Sequence, residues 1–217
     1  MSRYDLVVFD WDGTLMDSTR LIASCLQEAC REVGAPIPSD SDALFVIGLN
    51  MADTFRRVAP DLDAEAQRRL AERYRHHFLS REHEAPLYEG VREMLEELHA
   101  RGARLAVATG KARRGLERAL DATGLRRWFE ATRCADEGFA KPHPDMLLML
   151  LDVTGVEPAR SVMVGDTTHD LELAANAGVD AVAVSYGAHP EDLLATRPAV
   201  ARCASVEDLR GWLRTNG

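Results

Sequence analysis

Tyr4-Asp5-Leu6-Val7-Val8-Phe9 runs straight into Asp10-Trp11-Asp12-Gly13-Thr14 near the start of a 217-residue chain. Residues 4–9 are almost continuously apolar and rich in Val and aromatics. That is the mark of a short strand buried on both faces of a parallel sheet. Two carboxylates and a glycine then stop it. Similar apolar runs recur at residues 104–108, 161–164 and 180–184. Between them lie helical patterns at 91–100, 112–122, 144–153 and 170–177, followed by Gly102, Gly124, Gly155 and Gly178 at helix-stop positions. Strand and helix in alternation predict an α/β fold built of βαβ units, with a parallel sheet covered on both faces.

Residues 17–85 break this rhythm and offer no convincing strand. Residues 18–33 repeat apolar side chains at helical spacing (Leu21, Ile22, Cys25, Leu26, Ala29) and end at Gly34. Ser39 or Asp40 can cap a short helix running to Ile47-Gly48, and residues 63–80 place Leu70, Tyr74 and Phe78 on one stripe. The pattern predicts a helical cap at 17–85, inserted into a Rossmann-like core made of 1–16 and 86–217. Its hinges fall at 15–18 and 84–88.

Composition narrows the partners. At 46% hydrophobic and 28% charged residues the chain is globular, and its net charge of −9 argues against a broad surface for nucleic acid or anionic membrane. The four cysteines form no Cys-x-x-Cys pair and no zinc spacing, which fits a reducing compartment. No apolar run approaches the ~20 residues of a membrane span, and the N-terminus lacks a signal peptide's apolar region; the expected location is cytoplasmic. Only two lysines occur, Lys111 and Lys141.

In an open parallel sheet, ligands bind beyond the carboxyl ends of the strands. The sequence puts Asp10 and Asp12, Thr109-Gly110-Lys111, Lys141 and the pair Asp166 and Asp170 at or near such ends. Asp at one strand end commonly just caps the next helix. Several strand ends carrying such groups are harder to dismiss. Asp10, Asp12 and Asp166 together would repel one another and raise their pKa values unless a hard cation sat among them. Mg²⁺ suits a few carboxylate oxygens plus substrate phosphate. Lys141 offers a point charge to a phosphoryl oxygen, and Thr109 with the amides after it offers hydrogen bonds. This is a charge layout for phosphoryl transfer.

Asp10-Trp11-Asp12-Gly13-Thr14, Thr109, Lys141 and Gly165-Asp166-Thr167-Thr168-His169-Asp170 together resemble the four motifs of the haloacid dehalogenase superfamily of phosphohydrolases. The helical insert is similar to the C1 cap of its phosphoglycolate phosphatase-like branch. The resemblance implies a Mg²⁺-dependent phosphatase acting on a small phosphomonoester such as phosphoglycolate, a sugar phosphate or a nucleotide. It makes Asp10 the nucleophile that forms an aspartyl-phosphate and Asp12 the general acid/base. Mg²⁺ would be held by Asp10, the backbone carbonyl of Asp12 and Asp166, with Asp170 supporting directly or through water. Thr109, Gly110 and Lys141 would hold the phosphoryl group, together with the backbone amide of Trp11.

Asp12 separates the chain from dehalogenases, which lack an acid there. A cap without lysine separates it from phosphonoacetaldehyde hydrolase, which needs one. A phosphosugar mutase shares the same core and is the main alternative. A phospho-accepting receiver domain is a poor match, since it takes phosphate on a mid-chain strand. In the cap, Asn50 could touch the leaving group or merely cap a helix, and Arg56 or Arg57 could meet an anion. His76, His77 and His83 read as a solvated helix face among arginines and acids. His143 and His169 are expected to orient loops.

Overall fold

The computed structural model describes residues 3–216. Six strands form one sheet: β1 (Leu6–Phe9), β2 (Arg104–Thr109), β3 (Ala131–Cys134), β4 (Ser161–Gly165), β5 (Asp180–Val184) and β6 (Ala201–Cys203), in the spatial order β3-β2-β1-β4-β5-β6. Every pairing is parallel. The four strands expected from apolar runs occupy the middle. β3 and β6 were not expected, and both are edges. An edge strand meets a partner on one side only, so alternating small, polar and basic residues (ATRC, ARC) suffice where the central strands need continuous Val and Leu.

Successive residues of β1 point to opposite faces. Val7 and Phe9 join one apolar layer with α5 (Val91–Ala100), α6 (Arg113–Thr123) and α10 (Val206–Asn216). Leu6 and Val8 join the other with α7 (Asp145–Thr154) and α8 (Thr168–Ala177). A short helix, α9 (Glu191–Leu194), seals the far edge of that second layer with Leu194. α6, α7 and α8 stop at Gly124, Gly155 and Gly178, the glycines read as stops in the sequence.

Between β1 and α5 the chain builds a helical cap of α1 (Thr19–Val33), α2 (Asp40–Phe45), α3 (Met51–Val58) and α4 (Ala64–Arg81). It has its own small core, in which Leu26 and Ala29 of α1 meet Phe55 and Val58 of α3 and Leu70 of α4. The outgoing and returning segments cross side by side. Met16 bridges Leu87, the Asp17 amide donates to Pro86 O (2.9 Å) and the Tyr88 amide to Leu15 O (3.1 Å). The histidine-rich stretch of α4 is not simply a solvated face: His77 lies 3.3 Å from Glu28 and 3.1 Å from Glu32 of α1, and Arg81 also reaches Glu28. These contacts fasten α4 to α1. No helix among the described residues is long and apolar enough to cross a membrane.

Candidate active site

β2 and β4 flank β1, and the crossovers leave β1 in opposite directions, so the crevice opens at the carboxyl end of β1. Asp10 sits there, fully buried, with its amide bonded to Val164 O of β4 (2.9 Å). Asp166 follows β4, and Asp170 stands in the first turn of α8. One oxygen from each of Asp10, Asp166 and Asp170 lies within 4.8 Å of the others. The site is therefore three buried carboxylates at one point, brought there by two adjacent strand ends.

The hydrogen bonds around these carboxylates are uneven. Thr14 Oγ1 and the Ala188 amide donate to the two oxygens of Asp166 (2.8 and 2.7 Å). Thr167 closes a capping box on Asp170 Oδ2, and Lys141 Nζ donates to Asp170 Oδ1 (2.6 Å) and to Asp10 Oδ1 (2.7 Å). Asp10 Oδ2 is buried and has no hydrogen-bond partner. Of the six oxygens in the triad, it alone is unengaged. An orphaned anionic oxygen beside two further carboxylates fits a divalent cation with a preference for oxygen ligands, so the residues present suit Mg²⁺.

Burial raises Asp10 to about 7, with Lys141 opposing the rise and Asp170 adding to it. Burial, then the charges of Asp10 and Asp170, push Asp166 well above the usual carboxylate range. Burial disfavours the Lys141 ammonium, but the two carboxylates more than offset this and hold it above its ordinary value. Lys141 is thus a permanent cation under the cluster.

The rest of the expected set divides by place. Asp12 turns away from the triad: Ser18 Oγ donates to its Oδ1 (2.6 Å) and Lys111 Nζ lies 3.0 Å from its Oδ2. Thr109 ends β2 in the cavity floor, and its hydroxyl accepts from the Lys111 amide (3.2 Å). Trp11 is buried, its indole donating to Met16 Sδ (3.3 Å) and packing edge-on against Phe129. Asn50 commits its amide to α3, with Oδ1 accepting from the Asp53 amide (2.8 Å) and Nδ2 donating to the Asp53 carboxylate (3.0 Å), and it does not line the cavity. Arg56 pairs with Asp53, and Arg57 lies over the Phe45 ring. His143 accepts from the Asp145 amide and stacks near Phe139, ordering the loop before α7.

Two glycines let the parts approach. Gly13 has φ +84°, and a Cβ there would stand 2.1 Å from Asp166 Oδ2. At Gly110 a Cβ would meet the Gly48 carbonyl of the cap at 2.5 Å, so cap backbone rests on the turn after β2. A second contact lies beyond the triad. His169 Nε2 (2.8 Å) and His189 Nε2 (3.1 Å) both donate to Phe45 O at the end of α2, and Phe45 stacks on His189. His189 Nδ1 accepts from the Thr168 amide (3.0 Å), which fixes its Nε2–H tautomer. Burial drives His189 down to about 4 and also lowers His169. Both imidazoles are neutral donors.

Between cap and core lies a cavity of about 640 Å³ with Asp10, Asp12 and Thr109 in its floor and Tyr74 and Phe78 of α4 in its roof. Lys111 reaches into it, its ammonium 4.8 Å from the Phe78 ring centroid. Sequence reading quoted Lys111 and Thr14 without giving either a role, and it missed Ser18 and His189. Lysine scarcity pointed towards Lys111. Nothing local marked the other two: Ser18, six residues past Asp12, reads only as part of the hinge, and His189 acts through partners distant in sequence.

Residues 7–184 match the family described as haloacid dehalogenase-like hydrolase. The chain is 36% identical over 202 residues to Probable phosphatase IndB of Dickeya dadantii, covering 90% of this chain and 87% of the other. It is 35% identical over 209 residues to the tyrosine-protein kinase PtkA of Mycobacterium tuberculosis, covering 94% and 71% respectively. A crystal structure of a predicted phosphoglycolate phosphatase from Haemophilus somnus 129PT superposes with TM-score 0.88 at 25% identity, covering 98% of this chain and 99% of that one. Sheet order, buried carboxylate triad and inserted helical cap therefore meet a match over most of the sequence, and the chain belongs to the haloacid dehalogenase-like hydrolases.

Proposed function

We propose that the protein is a Mg²⁺-dependent phosphatase that hydrolyses a small-molecule phosphomonoester through an aspartyl-phosphate on Asp10. The observation that carries this reading is Asp10 Oδ2, an unengaged carboxylate oxygen in the floor of a cavity, with Lys141 already holding the other oxygen of the same group. Asp10, Asp166 and the backbone carbonyl of Asp12 would hold Mg²⁺. Bound there, the ion would neutralise the carboxylates and the phosphoryl oxygens, as a hard cation does in phosphoryl transfer. Asp170, occupied by Lys141 and the capping box, supports the site by keeping the lysine in place.

Asp10 attacks phosphorus while Asp12 gives its proton to the departing ester oxygen. The P–O ester bond breaks as the Asp10–P bond forms. Asp12 then takes a proton from water as that water attacks the same phosphorus, releasing phosphate and restoring Asp10. Thr109 and Lys141 steady the phosphoryl oxygens in both steps. Lys111 and Ser18 fix the Asp12 carboxylate beside the cavity. The relatives named as a phosphatase and as a phosphoglycolate phosphatase are in keeping with this chemistry.

Asp12→Asn is the test. Loss of a general acid/base costs ~10²–10⁴-fold in each step it serves. For p-nitrophenyl phosphate the phenolate leaves unaided, so only the second step suffers. The variant should release a burst of nitrophenolate near one equivalent per site, followed by slow turnover. Its intact mass should gain one phosphoryl group, absent from the Asp10→Asn, Asp12→Asn double variant. Slow turnover with neither burst nor mass gain means that water attacks phosphorus directly, and the reading fails. A mass gain that maps to a tyrosine, with no free phosphate released, would point instead to the activity that PtkA's name describes.

A further inference from the structure

The cavity above Asp10 is built for carbon. Leu26, Ile47, Leu49, Met51, Tyr74 and Phe78 make half of its cap side, and Ile47 and Leu26 are buried beneath that surface. Twelve cap residues line it, and only Thr54, Tyr74 and Arg75 carry a side chain able to hydrogen-bond. The Tyr74 hydroxyl, close enough to Asp12 to feel its charge, has no hydrogen-bond partner among the described residues. Charged groups stand on the core side and at the mouth, where Lys111, Arg114, Arg118 and the carboxylate of Asp136 join Arg75. The place of the cations suits the phosphate dianion on its way in, whereas the walls beyond it are apolar.

A polyhydroxylated leaving group would be poorly served here. Each buried hydroxyl that loses water without gaining a partner is penalised, and on the cap side two hydroxyls with one guanidinium cannot satisfy the face of a hexose ring turned towards them. A carbon-rich group of the same size loses nothing and gains the hydrophobic term. The volume of about 640 Å³ falls within the range of pockets that enclose a whole small ligand, well beyond a two-carbon acid.

We propose that the phosphomonoester taken by this chain carries an apolar, ring-sized leaving group, cyclic alkyl or aryl, with at most one hydroxyl-sized polar group, which Tyr74 meets. Tyr74 and Phe78 on α4 are the specificity-determining pair. The inference rests on the phosphatase reading above and adds the class of alcohol released.

Cyclohexylmethyl phosphate and glucose 6-phosphate test it. Both are esters of a primary alcohol on a six-membered ring, so intrinsic leaving-group reactivity is closely matched and the ring hydroxyls are the main difference. With Mg²⁺ present, kcat/KM for the cyclohexylmethyl ester should exceed that for the sugar by at least a hundredfold. Phe78→Ser should shrink this ratio at least tenfold. Reading a ratio removes any general loss from disturbing Lys111. Calorimetric binding of cyclohexylmethyl phosphonate and of the matching sugar phosphonate gives a readout independent of turnover, with the same order expected. Equal or reversed preference overturns the apolar-substrate inference and leaves the phosphatase reading standing. Preferential binding of the apolar phosphonate with no phosphate released from either ester supports the cavity's selectivity and overturns the phosphatase reading instead. If Phe78→Ser leaves the ratio unchanged, α4 does not select, and the proposal fails.

Discussion

Lys141→Met replaces a buried ammonium by an apolar chain of similar length, and the structure sets the size of the consequence. Lys141 is fully buried and bonded at 2.7 and 2.6 Å to Asp10 and Asp170, with Asp166 beside them. Removing one partner of a buried ion pair costs about 3–5 kcal/mol. A second route gives an upper bound: a carboxylate stranded without its cation can neutralise itself, and protonating an ordinary aspartate costs about 4 kcal/mol at pH 7 and about 1.5 at pH 5. The two agree near 4 kcal/mol at neutral pH. For a chain of this size that is a fall of about 8–16 °C in melting temperature. The sign with pH follows, because a buried carboxyl held protonated loses stability as pH rises. The variant's deficit should therefore shrink on going from pH 7 to pH 5. Saturating Mg²⁺ should shrink it too, by supplying charge to the same oxygens. Thermal melts of parent and variant in chelator, at both pH values and with and without Mg²⁺, read all three effects. A variant melting within 2 °C of the parent at pH 7 in chelator, or a deficit that grows on acidification, would refute the account of Lys141 as the cation of the cluster.

Gly110→Ala puts a Cβ 2.5 Å from Gly48 O and lifts the cap from the turn after β2. A misplacement of this kind near the chemistry can lower kcat/KM by about 10²-fold, and an unchanged rate with unchanged melting would show that the contact is dispensable. Because burial raises Asp10 to about 7, Mg²⁺ must displace a proton from the site at pH 6.5, and its affinity should climb between pH 6 and 8. Titration calorimetry in buffers of different ionisation enthalpy reads that proton; a pH-independent affinity contradicts the assignment. Glu97 is held down at about 2 by the Arg214 and Arg210 guanidiniums, which tie α5 to α10. Its contribution is present above the ordinary value of 4.5 and lost as pH falls towards 2, so Glu97→Gln should flatten the stability profile over that window. Urea midpoints for the two proteins that fall in parallel through the window count against it.

The sequence carried the sheet interior and the floor of the site plainly, since both are written in contiguous residues. A run such as Leu6–Phe9 is apolar because both of its faces are covered, and the residues just past it are polar because the strand has ended. The edges β3 and β6 lacked that signature. α3 and α10 escaped for another reason: Met51–Val58 mixes arginines among its apolar positions, and Val206–Asn216 starts beyond the last strand that was recognised. The roof of the cavity was only half legible. Leu70, Tyr74 and Phe78 form one stripe by spacing, yet a residue eight positions on has drifted by about 80° around the helix. Leu70 accordingly faces the cap's own core, whereas Tyr74 and Phe78 reach the cavity. The pairing of Asp12 with Lys111 depends on how two strand ends meet, and the histidines on Phe45 on how cap and core meet, neither of which a local pattern encodes.

The paired crossings at Met16 and Leu87 make the cap a cassette. Its two ends leave and re-enter the core one hydrogen bond apart, so the sheet experiences the insert as a loop already closed, whatever its content. Loop-closure entropy grows only as the logarithm of length, about 0.6 kcal/mol per doubling, so a longer or shorter helical insert would scarcely tax the core. Asp10, Asp166, Asp170 and Lys141 all lie outside that loop and would keep their positions through such an exchange. The roof of the cavity can then change by replacing one contiguous block of sequence while the carboxylate cluster and its lysine stay where they are.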